Sequence, residues 1–327
     1  MKYLGIDVAK AKLDCALLDP LTDKCKTKVV ANNASGFKVL TEWLSKQGVA
    51  LSEVHSVLDA TGVYHEPVAL WLADAGVTLS IANPAQVKDF ARGLAVRTKT
   101  DGVDSVVLAR YGALVKPAPW QAPPPEVREL KALLARLAAL ETDLRRELNR
   151  QEKAQVSGVP DRVQASLDMH LAVLKNEIAR MVAAIDEHID RHPGLKADRE
   201  LLLSIPAVGE KTANRMLAVL HSRVFQSAEQ VAAFLGLVPV EHQSGSSVQK
   251  RPRLAKNGDA KTRAVLYMAA VVATRYNPDI KAMYERLLAR GKAKMAAIGA
   301  AMRKLVHLCF GVLKHQLPYR QNIASQA

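Results

Sequence analysis

Tyr3-Leu4-Gly5-Ile6-Asp7-Val8-Ala9-Lys10-Ala11-Lys12-Leu13-Asp14-Cys15-Ala16-Leu17-Leu18 opens the chain as two apolar stretches around a tight turn. Tyr3–Val8 reads as a short strand, and Leu13–Leu18 as a second one after the Ala9–Lys12 turn. Lys26–Asn32 is a candidate third strand. Working outward, Gly36–Gln47 has helical spacing, with Phe37, Leu40, Trp43 and Leu44 on one face. Val54–Leu58 is an apolar strand that runs straight into Asp59. Tyr64–Ala75 reads as a helix closed by Gly76, and Val77–Ile81 as a strand ended by Asn83-Pro84.

Three strands, then helix, strand, helix, strand and helix is the element order of an RNase H-like domain, assigned here to residues 1–116. Near Lys116 the pattern changes, because Pro117, Pro119, Pro123, Pro124 and Pro125 fall close together and stiffen the chain. Two long amphipathic segments follow, Glu126–Lys153 and Val163–Ile189, broken at Val159-Pro160. Their apolar stripes (Leu130, Leu133, Leu134, Leu137, Leu140; then Leu167, Leu171, Leu174, Ile178, Ile185) suggest an antiparallel hairpin or coiled coil. Residues 117–193 are therefore read as a Pro-rich linker and coiled-coil hairpin, and 194–327 as a mainly helical third domain. Within it, Leu203-Ser204-Ile205-Pro206-Ala207-Val208-Gly209-Glu210-Lys211-Thr212-Ala213 looks like a helix-hairpin-helix, whose turn would offer N–H groups to a phosphate. The fold class is α/β plus α.

The 327-residue chain carries a net charge of +14. From Lys250 onward there are 16 Lys and Arg against three acids, Asp259, Asp279 and Glu285. Such an excess is the footprint of a phosphate-backbone binder, although solvated helix faces also carry it. Lys211, Lys250, Arg251, Arg253, Lys256 and Arg263 are the candidate nucleic-acid contacts. Cys15, Cys25 and Cys309 show no metal-ligand spacing and fit a reducing cytoplasm. No signal peptide and no membrane-length apolar run is expected.

Four carboxylates stand out. Asp7 ends the first strand and Asp59 the fourth; Asp101 and Asp104 are spaced i, i+3 on one face of a helix beginning about there. With no obvious cationic partner, they would repel one another unless a cation neutralised them. Mg²⁺ (or Mn²⁺) takes oxygen ligands and suits phosphate chemistry, and two such ions could clamp a phosphodiester displacement. Taken singly, a strand-end Asp is often a turn former, and Asp101 reads equally as a helix N-cap. A second constellation is Pro239-Val240-Glu241-His242-Gln243-Ser244-Gly245-Ser246-Ser247, a polar loop between an apolar helix (Val231–Leu237) and a basic segment. By composition alone its serines are linker residues. A serine there could instead attack a DNA phosphate, with Arg251, Arg253, Lys256 or Arg263 stabilising the charge.

Taken in order, these residues resemble the insertion-sequence transposases with a DEDD carboxylate set and a catalytic serine, related to the Piv DNA invertases. The resemblance rests on Gly5-Ile6-Asp7-Val8-Ala9-Lys10, Asn33…Gly36-Phe37, Asp59-Ala60-Thr61-Gly62-Val63-Tyr64, Asn83-Pro84 and Lys99-Thr100-Asp101…Asp104. It continues through Ile205-Pro206…Gly209, Leu235-Gly236-Leu237…Pro239, Ser244-Gly245 and Lys256-Asn257-Gly258-Asp259. It implies a RuvC-like N-terminal domain and a C-terminal transposase domain. By the same resemblance Asp7, Asp59, Asp101 and Asp104 are metal ligands and Ser244 is the nucleophile, with Ser246 as the other serine to weigh. The family usually has Glu where this chain has Asp59, and Ala at Ser105.

The resemblance further implies a phosphoserine link to DNA, strand exchange without net hydrolysis, and homo-oligomers (dimer or tetramer). In these the serine of one subunit completes the carboxylate site of another. It also implies a structured guide RNA in many members, and a bacterial or archaeal, nucleoid-associated cytoplasmic location without membrane attachment. Three other readings compete. A RuvC-like junction resolvase or nuclease would use metal-activated water and leave Ser244 no role. A non-catalytic nucleic-acid-binding descendant would tolerate the change at Asp59. A sugar-kinase-like ATPase also opens with Gly-Ile-Asp, but a second Gly-rich phosphate loop is lacking.

Overall fold

The structure, a computed structural model, describes residues 1–59, 62, 64–95, 100–244, 248–255 and 258–321, and for 242–244 and 248–251 the backbone only. The chain forms two compact units, Met1–Ala122 and Pro123–Ala327.

The first unit runs β1 (Lys2–Val8), β2 (Lys12–Asp19), β3 (Lys24–Ala31), α1 (Ala34–Lys46), β4 (Val54–Asp59), α2 (Glu66–Asp74), β5 (Thr78–Ala82), α3 (Pro84–Gly93) and α4 (Asp101–Val115). The sheet order is β3-β2-β1-β4-β5. β1, β2 and β3 pair antiparallel, whereas β4 and β5 run parallel to β1. This is an RNase H-like strand order, and it makes β1 and β4 neighbours.

Strand alternation divides the sheet's side chains between two faces. Leu4, Ile6, Leu13, Cys15, Leu17 and Leu58 face a core shared with Phe37, Leu40 and Leu44 of α1 and with Val68 and Leu72 of α2. On the other face Tyr3 and Leu18 pack on Ala109, and Val57 packs with Leu108 and Tyr111, all from α4. α4 can lie that close because Gly5 has no side chain: a Cβ there would meet the Ser105 carbonyl oxygen at 1.9 Å and the Ala109 nitrogen at 2.4 Å.

The second unit begins with α5 (Pro125–Ser157) and α6 (Asp161–Asp190), joined through Gly158 in the left-handed conformation. His188 lies against Glu126, His170 against Glu147, and Asp168 against Gln151, so the two helices form an antiparallel hairpin. There follow α7 (Pro193–Leu203), α8 (Glu210–Leu220), α9 (Ala228–Phe234), β6 (Pro239–Ser244), β7 (Val248–Leu254), α10 (Ala260–Tyr276), α11 (Pro278–Ala289) and α12 (Lys294–His315). Leu202, Met216, Leu217, Val231, Leu266, Leu305 and Val306 share their core.

The structure corrects three expectations. The polar sequence of 239–247 reads as a loop, but 239–244 and 248–254 pair as an antiparallel hairpin. The helix expected at 231–237 lies at Ala228–Phe234, ended by Gly236 at φ +68°. The expectation of no membrane-length helix also changes. Among the described residues α12 is long and apolar enough to cross a membrane by length and composition. Its Ala301, Met302, Leu305, Val306, Cys309 and Val312 are buried in the second unit's core, the pattern of an interior helix.

Candidate active site

Asp7 follows Ile6, which pairs with Leu58 of β4, just as Asp59 follows Leu58; the two aspartates end neighbouring parallel strands. By alternation Asp7 lies on the face of Gly5 and Tyr3, and Asp59 on the face of Val57. Both therefore belong to the side covered by α4. That helix starts at Asp101, capped by the Thr100 hydroxyl, which accepts from the Val103 N–H at 3.3 Å. Asp101 and Asp104 thus occupy its first turn, where the helix dipole favours negative charge. Thr100, not Asp101, is the N-cap.

The sheet brings a fifth carboxylate to this place. Asp14 of β2 is the direct cross-strand partner of Asp7 and is buried. Burial, followed by the negative charges of Asp101, Asp104, Asp59 and Asp14, pushes the Asp7 carboxyl up to about 6. A cationic partner also exists, contrary to the sequence reading. The Lys12 ammonium reaches Asp101 at 2.8 Å and Asp14 at 3.0 Å. Its hydrogen bonds to Asp101 and then Asp14 hold the ammonium well above the ordinary lysine value.

Sequence reasoning missed both residues, although a signal was present. A turn at Ala9–Lys12 pairs residue 7 with 14, and Lys12 shares the face of Asp14 two residues on. Among the described residues, no three His, Cys, Asp or Glu side chains stand close enough to hold one metal ion together. The donor set still fits a hard divalent cation. It is all oxygen, and its mutual repulsion, visible at Asp7, is what such a cation relieves.

Ser244 is the last residue of β6 and pairs with Val248, the first residue of β7. Ser246 and Lys256 lie outside the described residues, and the side chains of Ser244, Lys250 and Arg251 are not described. Arg253 is exposed on β7. Lys211 sits in the first turn of α8, its ammonium on Glu141 of α5 at 2.6 Å. Arg263 donates from one guanidinium nitrogen to the carbonyls of Leu235 (3.3 Å) and Gly258 (3.1 Å), tying the end of α9 to the start of α10.

Several other motif residues shape the backbone. Asn33 caps α1 by accepting from the Gly36 N–H, and a Cβ on Gly36 would meet the Ala31 carbonyl oxygen at 1.9 Å. Asn83 caps α3 through the Ala85 N–H. Gly258 has φ +74° with Phe234 oxygen 2.2 Å from its would-be Cβ, and Asp259 caps α10 through the N–H groups of Lys261 and Thr262.

Residues 4–156 match a family described as "Transposase", of the DEDD type named for IS110, and residues 199–285 match the "Transposase IS116/IS110/IS902 family". Over 325 residues the chain is 33% identical to the pilin gene-inverting protein of Moraxella lacunata, covering 98% of each. It is 30% identical over 161 residues to the IS900 uncharacterized 42 kDa protein of Mycobacterium paratuberculosis, which spans 48% of this chain and 39% of that one. Among solved structures, Thermus thermophilus RuvC in complex with a Holliday junction substrate covers 37% of this chain and 99% of its own, at 17% identity and a TM-score of 0.28.

Proposed function

The chain belongs to the IS110-type insertion-sequence transposases, and from that premise we propose that this DNA recombinase cuts and rejoins its substrate through a phosphoserine intermediate at Ser244. The observation that supports the reading is the gathering of Asp7, Asp59, Asp101 and Asp104 where two parallel strand ends meet the first turn of α4.

In this reading the Ser244 Oγ attacks a DNA phosphorus, and the bond from that phosphorus to one strand oxygen breaks. The freed oxygen takes up a proton and becomes a hydroxyl. A hydroxyl from the exchanging strand then displaces serine, so the number of phosphodiesters is conserved and no water is consumed. Asp7, Asp59, Asp101 and Asp104 would hold a divalent cation, Mg²⁺ or Mn²⁺, which supplies positive charge to the phosphoryl oxygens when bound. Arg253 and its neighbours on β7, with Lys256, would neutralise the developing charge beside Ser244.

The turn before α8, with Gly209 as N-cap and no side chain capping the helix, suits a helix-hairpin-helix contact to a phosphate. The α5–α6 hairpin suits assembly of a dimer or tetramer as a coiled coil. A structured guide RNA would read the target by pairing, and the location would be the cytoplasm, at the nucleoid.

The test is to incubate the full chain with Mg²⁺, junction DNA of its element and RNA from the flanking non-coding region, then resolve covalent protein–DNA adducts on a denaturing gel. An adduct that disappears in Ser244→Ala and in Asp7→Ala is the expected result. Cleavage that survives Ser244→Ala with no adduct would instead establish the metal-activated-water nuclease.

A further inference from the structure

Lys12 places a cation within the carboxylate site. It stands at the start of β2, two residues before Asp14 and on the same face, with its ammonium shared between Asp14 and Asp101. The two partners differ. The Asp14 side chain is only 10% exposed, fixed in the ladder opposite Asp7; the Asp101 side chain is 52% exposed, at the open end of α4. One partner is an anchor, and the other can exchange its counter-charge with solvent ions.

We propose that Lys12 is a resident counter-cation. It holds Asp101 in place before a divalent ion arrives, and it competes with that ion for Asp101. The proposal rests on the reading that Asp7, Asp59, Asp101 and Asp104 take up a divalent cation.

Two consequences follow from charge alone. The ammonium offsets part of the negative charge at Asp14 and Asp101, which helps α4 keep its first turn over the strand ends although like charges are crowded there. An ion that takes Asp101 must break the ammonium's contact and then tolerate a positive charge nearby. Lys12 therefore weakens ion binding while steadying the ion-free site. A lysine suits this role because its ammonium is a compact point charge on a flexible stem, able to swing from one carboxylate to another or to a phosphate.

The experiment is a calorimetric titration of the full chain with Mn²⁺ in the absence of DNA, on wild type, Lys12→Met, Lys12→Arg and the site control Asp7→Asn, with a thermal melt of each. Lys12→Met is expected to bind Mn²⁺ about two- to fivefold more tightly, the range that breaking a largely exposed ion pair spans. It should also melt lower than wild type without the ion and gain more from it. Lys12→Arg keeps the charge and should stay within about twofold of wild type. Should Lys12→Met not fold, Lys12→Gln carries the same comparison. Binding unchanged or weakened in the neutral variants would overturn this proposal while leaving the ion site standing. A wild type that takes up no Mn²⁺, or an Asp7→Asn that binds it as well as wild type, would overturn the ion site and the proposal with it.

Discussion

Asp14 stands directly opposite Asp7 in the β1–β2 ladder, and both lie on the face that α4 covers. Like charges facing each other across antiparallel strands destabilise a sheet, so the pairing marks a place where fold stability has been given up for charge density. Asp7 shows the cost, with its carboxyl pushed up to about 6 by burial and by the surrounding aspartates.

The sign of the pH dependence follows. A carboxyl raised in the folded state contributes stability below its unfolded value, and that contribution is lost as pH rises through about 6. Without a divalent ion, Asp7→Asn should therefore melt higher than wild type at pH 8, by roughly 2 °C, and the gap should close at pH 4. Melts at the two pH values, followed by circular dichroism in chelator, check this; a gap that is equal at both would remove Asp7 as its source.

The helix that completes the site depends on an absent side chain. In Gly5→Ala the new methyl would sit 1.9 Å from the Ser105 oxygen, inside the α4 backbone, so the helix must move off the sheet. A stability loss of about 1–3 kcal/mol is expected in urea melts, the usual range for overpacking. Asp101 and Asp104 ride on the displaced turn, so adduct formation should fall by more than the folded fraction does.

These residues also show how far the sequence could be read. The order of strands and helices in the first unit was legible because β1, β2 and β4 are apolar runs that end in turn formers or Asp. Lys12 and Asp14 were less visible, since their role depends on the hairpin register and not on any spacing that marks a motif. The β6–β7 hairpin was hidden for a different reason. Glu241-His242-Gln243-Ser244 and Gln249-Lys250-Arg251 are polar at successive positions, so no alternation announces a strand, and backbone pairing alone defines it. Asp259 and Asn33 could be recognised as motif positions, but their capping is visible only in the hydrogen bonds they accept from backbone N–H groups.

Asp259 gives a direct test of that sorting. Its carboxylate accepts from the N–H groups of Lys261 and Thr262 and from the Thr262 hydroxyl at 2.6 Å. Asp259→Ala should cost about 1 kcal/mol, as loss of an N-cap does, and Asp259→Asn should recover most of it. If Asp259 were instead a chemical participant, the Asn variant would melt normally and fail to form the adduct.

His55 supplies a pH dependence of opposite sign. It is buried on the α4 face with its Nε2 2.8 Å from the Ser80 hydroxyl, and burial lowers its pKa. A group depressed in the folded state contributes stability above its unfolded value, near 6.5, and loses it as pH falls through the lower folded value. Wild type should therefore soften between pH 7 and 5. In His55→Gln, which keeps an N–H for Ser80 but does not titrate, that part of the slope should flatten. Equal slopes in the two proteins would show that His55 contributes nothing to the acid limb.

Arg253 and Arg263 are ten residues apart on the same basic segment, yet they should answer different measurements. Arg253 is exposed on β7, close in sequence to Ser244, whereas Arg263 donates to two backbone carbonyls that join α9 to α10. If β7 faces DNA phosphates, Arg253→Ala should reduce the slope of log affinity against log salt by about one and leave the melting temperature unchanged. Arg263→Ala leaves the Leu235 and Gly258 carbonyls short of a donor, so it should lower stability by about 1–2 kcal/mol with little change in the salt slope. Salt-dependent DNA binding and thermal melts on both variants separate the two roles. An Arg253→Ala protein with an unaltered slope would take β7 out of the DNA interface.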